Sequence, residues 1–108
     1  MPKYAVLFSF KGEAVGALIR NPSDRPAAVG KALESVGGEL DALYWMLGQY
    51  DGLLLASAPD AHAMTAVMMA AAGSGAFAHV ETHELIEAAD IADVVARAGD
   101  VPFRPPGG

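Results

Sequence analysis

Between positions 44 and 60 the chain reads Tyr44-Trp45-Met46-Leu47-Gly48-Gln49-Tyr50-Asp51-Gly52-Leu53-Leu54-Leu55-Ala56-Ser57-Ala58-Pro59-Asp60, and no other stretch narrows the possible folds so far. Two apolar runs flank Gly48, Gln49, Tyr50 and Asp51, residue types that reverse a chain. Strands this close in sequence pair antiparallel. Leu53 to Ala58 is nearly all apolar, the pattern of a central strand covered on both faces, and Pro59-Asp60 then stops it and caps a helix.

The flanking segments extend this unit on both sides. Residues 3–10 alternate as a strand, with Tyr4, Val6, Phe8 and Phe10 on the face expected to meet the helices and Ala5, Leu7 and Ser9 on the other. Residues 11–20 form a weak short helix or an irregular crossover. Ser23 or Asp24 can cap the next helix, Pro26 suits its first turn, and Val29, Ala32, Leu33 and Val36 follow at i, i+3, i+4 and i+7 before a stop at Gly37-Gly38. The second strand, 39–46, divides Glu39, Asp41, Leu43 and Trp45 from Leu40, Ala42, Tyr44 and Met46; the third divides Asp51, Leu53, Leu55 and Ser57 from Gly52, Leu54, Ala56 and Ala58. Only His62 and Thr65 interrupt the apolar residues of the helix at 60–72, and a helix apolar all round is normally buried, here against a partner subunit. A fourth strand at 76–85 sets Ala76, Ala78, Val80 and Thr82 against Phe77, His79, Glu81 and His83. A last helix at 87–98 places Ile91, Val94, Val95 and Ala98 at helical spacing, and the Pro- and Gly-containing residues 100–108 make an extended or disordered tail.

The run Tyr-Trp-x-x-Gly-x-Tyr-Asp at 44–51, the apolar strand after it and Ala58-Pro59-Asp60 resemble the GYD domain family, named for its Gly-x-Tyr-Asp motif. The Met-Pro-x-Tyr opening, Ser23 and Arg25 before the first long helix, Gly37-Gly38 after it, and Glu81-Thr82 in the last strand fall where that likeness leads one to expect them. The resemblance implies a ferredoxin-like βαββαβ fold of the dimeric α/β-barrel type and carries no general reaction with it. The element order independently implies the same α+β architecture: a four-stranded antiparallel sheet with helices on one face, plus a C-terminal helix, in a single domain over residues 1–99.

At 108 residues the chain is long enough to bury somewhat over ~60% of its unfolded surface without disulfides or metal. It has no cysteine, which excludes thiol catalysis. Its net charge of −6 disfavours a phosphate backbone as partner, so nucleic acid is not expected. The longest apolar segment, 63–72, falls far short of the ~20 residues of a membrane span. The first residues lead into a strand without a charged segment, apolar core or cleavage site, so a cytoplasmic setting is expected.

Alternation leaves Leu7, Leu43, Trp45, Leu53 and Leu55 on the helix-free face beside Asp51, Ser57, His79, Glu81 and His83. An apolar patch rimmed by polar groups is expected to bind something. Two such faces closing on each other would bury the leucines and Trp45 in a homodimer or higher oligomer and line a cleft with the polar set. His79-x-Glu81-x-His83 is the sharpest constellation: residues two apart on a strand stand ~6.6 Å apart on one face, close enough to share a proton or a metal, while the outer pair, ~13 Å apart at the backbone, is hard to bring to one ion. The plainer reading is two imidazoles hydrogen-bonded to a carboxylate in an interface. Tyr50-Asp51 suits a general acid or base, or a turn whose carboxylate takes backbone hydrogen bonds. Trp45, Leu55 and Ser57 are candidate ligand contacts, and Arg25 pairs with a nearby acid or the turn. No phosphate-binding loop, nucleophile elbow or spaced zinc motif occurs, and no cofactor is implied. Two functions compete: a non-catalytic ligand-binding or regulatory module, and a cofactor-independent enzyme of oxygenase or isomerase type, by analogy of fold, with His79 or His83 as base, Glu81 orienting it, and Tyr50 and Asp51 as further polar groups. A metal-assisted variant of the second is weaker.

Overall fold

The computed structural model describes residues 1–108. Its elements are β1 (Lys3–Phe10), α1 (Gly12–Arg20), α2 (Arg25–Glu34), β2 (Glu39–Trp45), β3 (Gly52–Ser57), α3 (Ala61–Gly73), β4 (Phe77–Leu85), a short 3-10 turn (Ala88–Asp90) and α4 (Ile91–Gly99). The strands form one sheet in the order β2-β3-β1-β4, and every neighbouring pair is antiparallel. This is the ferredoxin-like α+β arrangement expected from the sequence, with two helices rather than one in the first crossover.

Local chemistry sets the element boundaries. Asp24 and Asp60 cap α2 and α3 by accepting from the backbone N–H of Ala27 (3.0 Å) and Ala63 (2.8 Å). Past the end of α2, Gly37 takes φ of +82° and Gly38 N–H returns to Leu33 C=O at 2.9 Å, which ends the helix and starts β2. The core lies between the sheet and the helices: Tyr4, Val6 and Phe8 from β1, Leu54, Ala56 and Ala58 from β3 and its end, Leu33 from α2, and Met64 and Val67 from α3. Leu33 and Met64 are 0% and 1% exposed, so each is the pin of its helix, and truncating either to Ala costs about 2–5 kcal/mol.

Two β-bulges change the faces that simple alternation assigns. In β2, Leu40 pairs with Ala56 and Ala42 with Leu55, so Asp41 is one residue too many. Beyond it Leu43 and Trp45 lie opposite Leu54 and Gly52 on the helix side, while Ala42 and Tyr44 turn to the helix-free side. In β4, Ser9 pairs with His79 but Phe10 pairs with Phe77, leaving Ala78 as the extra residue and carrying Phe77 to the helix side. Trp45 and Phe77, like Leu43, were expected on the helix-free side. Instead they join an aromatic cluster with Phe8 and Phe10, with ring centroids 4.8–6.1 Å apart. The end of the Phe8 ring packs on Gly52, where a Cβ would overlap Phe8 Cζ.

α3 buries only Met64 and Val67, and Met69 is 70% exposed. The helix is apolar all round in composition, but its outer residues are largely alanines with little area to hide. No helix is long and apolar enough to cross a membrane. The C-terminal segment stands off from the body: every residue from Thr82 to Gly108 is exposed, including Ile91, Val94 and Val95 on α4. The radius of gyration, 17.3 Å, accordingly exceeds the about 13 Å of a compact chain of this length.

Candidate functional site

With the bulges placed, the helix-free face is a small lattice of strand-paired residues. One row holds Tyr44, Leu53, Leu7 and Glu81; the next holds Ala42, Leu55, Ala5 and His83; Ser9 and His79 lie beyond the first, and Glu39, Ser57, Lys3 and Leu85 beyond the second. Nothing in the chain covers the half-buried leucines at its centre, Leu7, Leu53 and Leu55.

The polar corner is assembled from the β2–β3 loop and the edge strand β4. Asp51 N–H donates to Phe8 C=O (2.8 Å), Met46 N–H to Asp51 C=O (2.9 Å) and Ser9 Oγ to Gln49 C=O (2.9 Å), so the loop is drawn across β1. Tyr50 thereby reaches β4, and its hydroxyl donates to Glu81 Oε1 at 2.6 Å. His79 Nε2 lies 3.0 Å from the same oxygen and His83 Nε2 3.2 Å from Oε2. One carboxylate is thus the hub of three polar side chains, and the Tyr50 and His79 rings stand 6.0 Å apart.

Hydrogen bonds from Tyr50, His79 and His83, in that order, favour the ionised carboxylate and hold Glu81 at about 2, well under its usual 4.5. The same contact raises the Tyr50 phenol above 10, because its hydrogen bond to Glu81 is lost on ionisation; desolvation and the Glu81 charge act the same way. An ionised carboxylate only accepts, so both imidazoles carry a proton on Nε2, which leaves each Nδ1 as the free nitrogen. The histidine side chains are 54% and 58% exposed. No group of three His, Asp or Glu side chains in the chain is placed to hold one metal ion.

The remaining candidates are distributed elsewhere. Asp51 adjoins the corner, and its Oδ2 accepts from the backbone N–H of Phe10 at 2.8 Å, replacing a ladder partner just before β3 begins. Leu55 lies on the face, one row from Glu81. Ser57 belongs to a second polar group at the far end, where its Oγ donates to Asp41 Oδ2 (2.7 Å) and accepts from Lys3 Nζ (3.2 Å). Trp45 is on the opposite side of the sheet and shares no site with these residues. Arg25, expected to pair with an acid or the turn, makes no ion pair or side-chain hydrogen bond; Asp24 is committed to its helix cap. The Lys3–Asp41–Ser57 group had no signal in the sequence, because its members are brought together by a bulge.

A family model described as GYD domain matches residues 4–95. No curated protein matches. Among solved structures, TTHA0845 from Thermus thermophilus is 21% identical with a TM-score of 0.53, over 82% of this chain and 96% of that one. MtbAldR is 15% identical with a TM-score of 0.57, over 80% of this chain and 52% of that one, so this chain spans about half its length. Both likenesses are of fold.

Proposed function

The chain belongs to the GYD domain family, and we propose that it is a non-catalytic binding module, a homo-oligomer whose uncovered sheet face takes a small organic molecule at the Tyr50–His79–Glu81–His83 corner. The observation that carries this reading is the state of Glu81. Its oxygens are engaged by Tyr50, His79 and His83, and it stays ionised through the physiological range, so it presents the two imidazoles without exchanging protons itself. Leu7, Leu53 and Leu55 supply an apolar floor beside it, and the free Nδ1 atoms are the groups left to meet a ligand. The same uncovered leucines support pairing of two sheets face to face.

Native mass spectrometry of untagged protein tests the assembly and the site together. A dimer or larger oligomer with a stoichiometric adduct, lost in H79N/H83N while the oligomer persists, is the expected result. A monomer would overturn the face-to-face pairing, and an adduct retained by the double variant would remove the site.

A second reading keeps the corner and makes it catalytic. It is favoured by the 3.0 Å contact of His79 Nε2 with Glu81, the arrangement in which a carboxylate orients an imidazole base. His79 or His83 would then abstract a proton through Nδ1, with Tyr50 as a further donor and Asp51 held beside the corner by its backbone contact. Consumption of the bound compound by the wild type and not by H79N would establish this reading over the first.

A further inference from the structure

On the opposite side of the sheet, a cavity of about 290 Å³ lies between the strands and helices α2 and α3. Its wall carries the whole aromatic cluster, Phe8, Phe10, Trp45 and Phe77, with Val29 and Met68 above; its polar residues are Arg25 and Ser74. The Ser74 hydroxyl is already spent on Ala71 C=O at 2.6 Å. Arg25 is half-buried and has neither an ion pair nor a hydrogen bond. It also lines the neighbouring cleft under α1, so Arg25 stands where the apolar space meets that cleft.

We propose that this cavity binds a small hydrophobic carboxylate, its apolar body among Phe8, Phe10, Trp45 and Phe77 and its carboxylate on Arg25. The chemistry of the lining selects that class. Four rings and no buried acceptor exclude a polyol or sugar, which would leave its hydroxyls unpaired in an apolar space. A half-buried arginine with no ion pair or hydrogen bond suits a planar anion that can take two of its N–H groups at once. The volume, at the small end of ligand pockets, limits the guest to roughly ten non-hydrogen atoms, the size of a medium-chain fatty acid or an aryl-substituted acid. The site shares no residue with the Glu81 corner.

Trp45 is the chain's single tryptophan and lines the cavity, so intrinsic fluorescence reports occupancy directly. Octanoate is the probe, and 1-octanol the uncharged control. The expected result is a saturable change in Trp45 emission with a sub-millimolar Kd for octanoate, as suits a ligand of about ten atoms, and binding of octanol weaker by about tenfold or more, the worth of a charge-assisted hydrogen bond. R25Q should lower octanoate affinity to that of octanol while circular dichroism and the melting curve stay those of the wild type. H79N/H83N should leave the titration unchanged, which separates this site from the one above. Absence of a saturable signal, equal affinities for acid and alcohol, or an R25Q titration indistinguishable from wild type would each overturn the proposal.

Discussion

Gly52→Ala adds one methyl group and should be among the most damaging small substitutions in this chain. The new Cβ would overlap Phe8 Cζ and stand 2.8 Å from both Cε atoms, so the ring must move. Its one open direction is the cavity it lines, and moving there takes it away from its ring neighbours. Phe8 is 5% exposed and holds edge contacts with Phe10, Trp45 and Phe77 at 5.4, 6.1 and 5.8 Å, and a displacement large enough to clear the methyl disturbs all of them. Overpacking of this kind costs about 1–3 kcal/mol. Replacing glycine by alanine also stiffens the unfolded chain and returns about 0.4–1 kcal/mol. The net expectation is a loss of about 1–2 kcal/mol, or a fall in the thermal midpoint of roughly 4–16 °C, measured by calorimetry or by urea denaturation followed through Trp45. Phe8→Leu in the same background shortens the obstructing side chain, so the double variant should lose at least about 0.5 kcal/mol less than the sum of the two single losses. A midpoint that holds or rises in G52A, or strict additivity in the double variant, would refute the steric account.

Three further outcomes follow from the polar groups. E81Q removes the charge and the strong acceptor that raise the Tyr50 phenol, so one tyrosine should ionise closer to its ordinary 10 in a phenolate absorbance titration; an unchanged curve would break the Tyr50–Glu81 assignment. Glu81 ionises at about 2 when folded against a usual 4.5, so its contribution to stability is fully present above pH 5 and fades as the pH falls toward 2; denaturation midpoints across that window should decline less steeply in E81Q than in the wild type. D51A should cost about 1–3 kcal/mol by orphaning the Phe10 N–H, and D51N far less because its amide oxygen still accepts, as urea denaturation will read; equal losses would argue against the backbone role.

Much of the fold was legible because the signals are local. The alternation of Tyr4, Val6 and Phe8, the apolar runs on either side of Gly48–Asp51, and the caps at Asp24 and Asp60 each act within a few residues of themselves. Glu81 between two histidines was legible for the same reason, since strand geometry alone puts them on one face. The aromatic end of the sheet was misread because a bulge leaves perfect alternation on both sides of itself. Asp41 is stabilised in place by Ser57, 16 residues away, and by Lys3, 38 away, and no window of sequence contains that information. Tyr50 reaches Glu81 across 31 residues through a loop tied to β1, and Asp24, the acid next to Arg25, is turned to its helix cap. What the sequence hid is what long-range contacts decide.

The stand-off of α4 carries a thermodynamic consequence of its own. A nine-residue helix is shorter than the ~12–15 residues that hold helical form unaided in water, and α4 has no cover over Ile91, Val94 or Val95 to make up the difference. Its coil and helix states are therefore finely balanced in a lone chain, and ordering this segment is coupled to whatever surface meets that stripe. Amide exchange at 91–99 becomes a gauge of assembly: fast in dilute solution, slowing as the stripe is covered, while the sheet a few residues upstream exchanges at its own rate throughout.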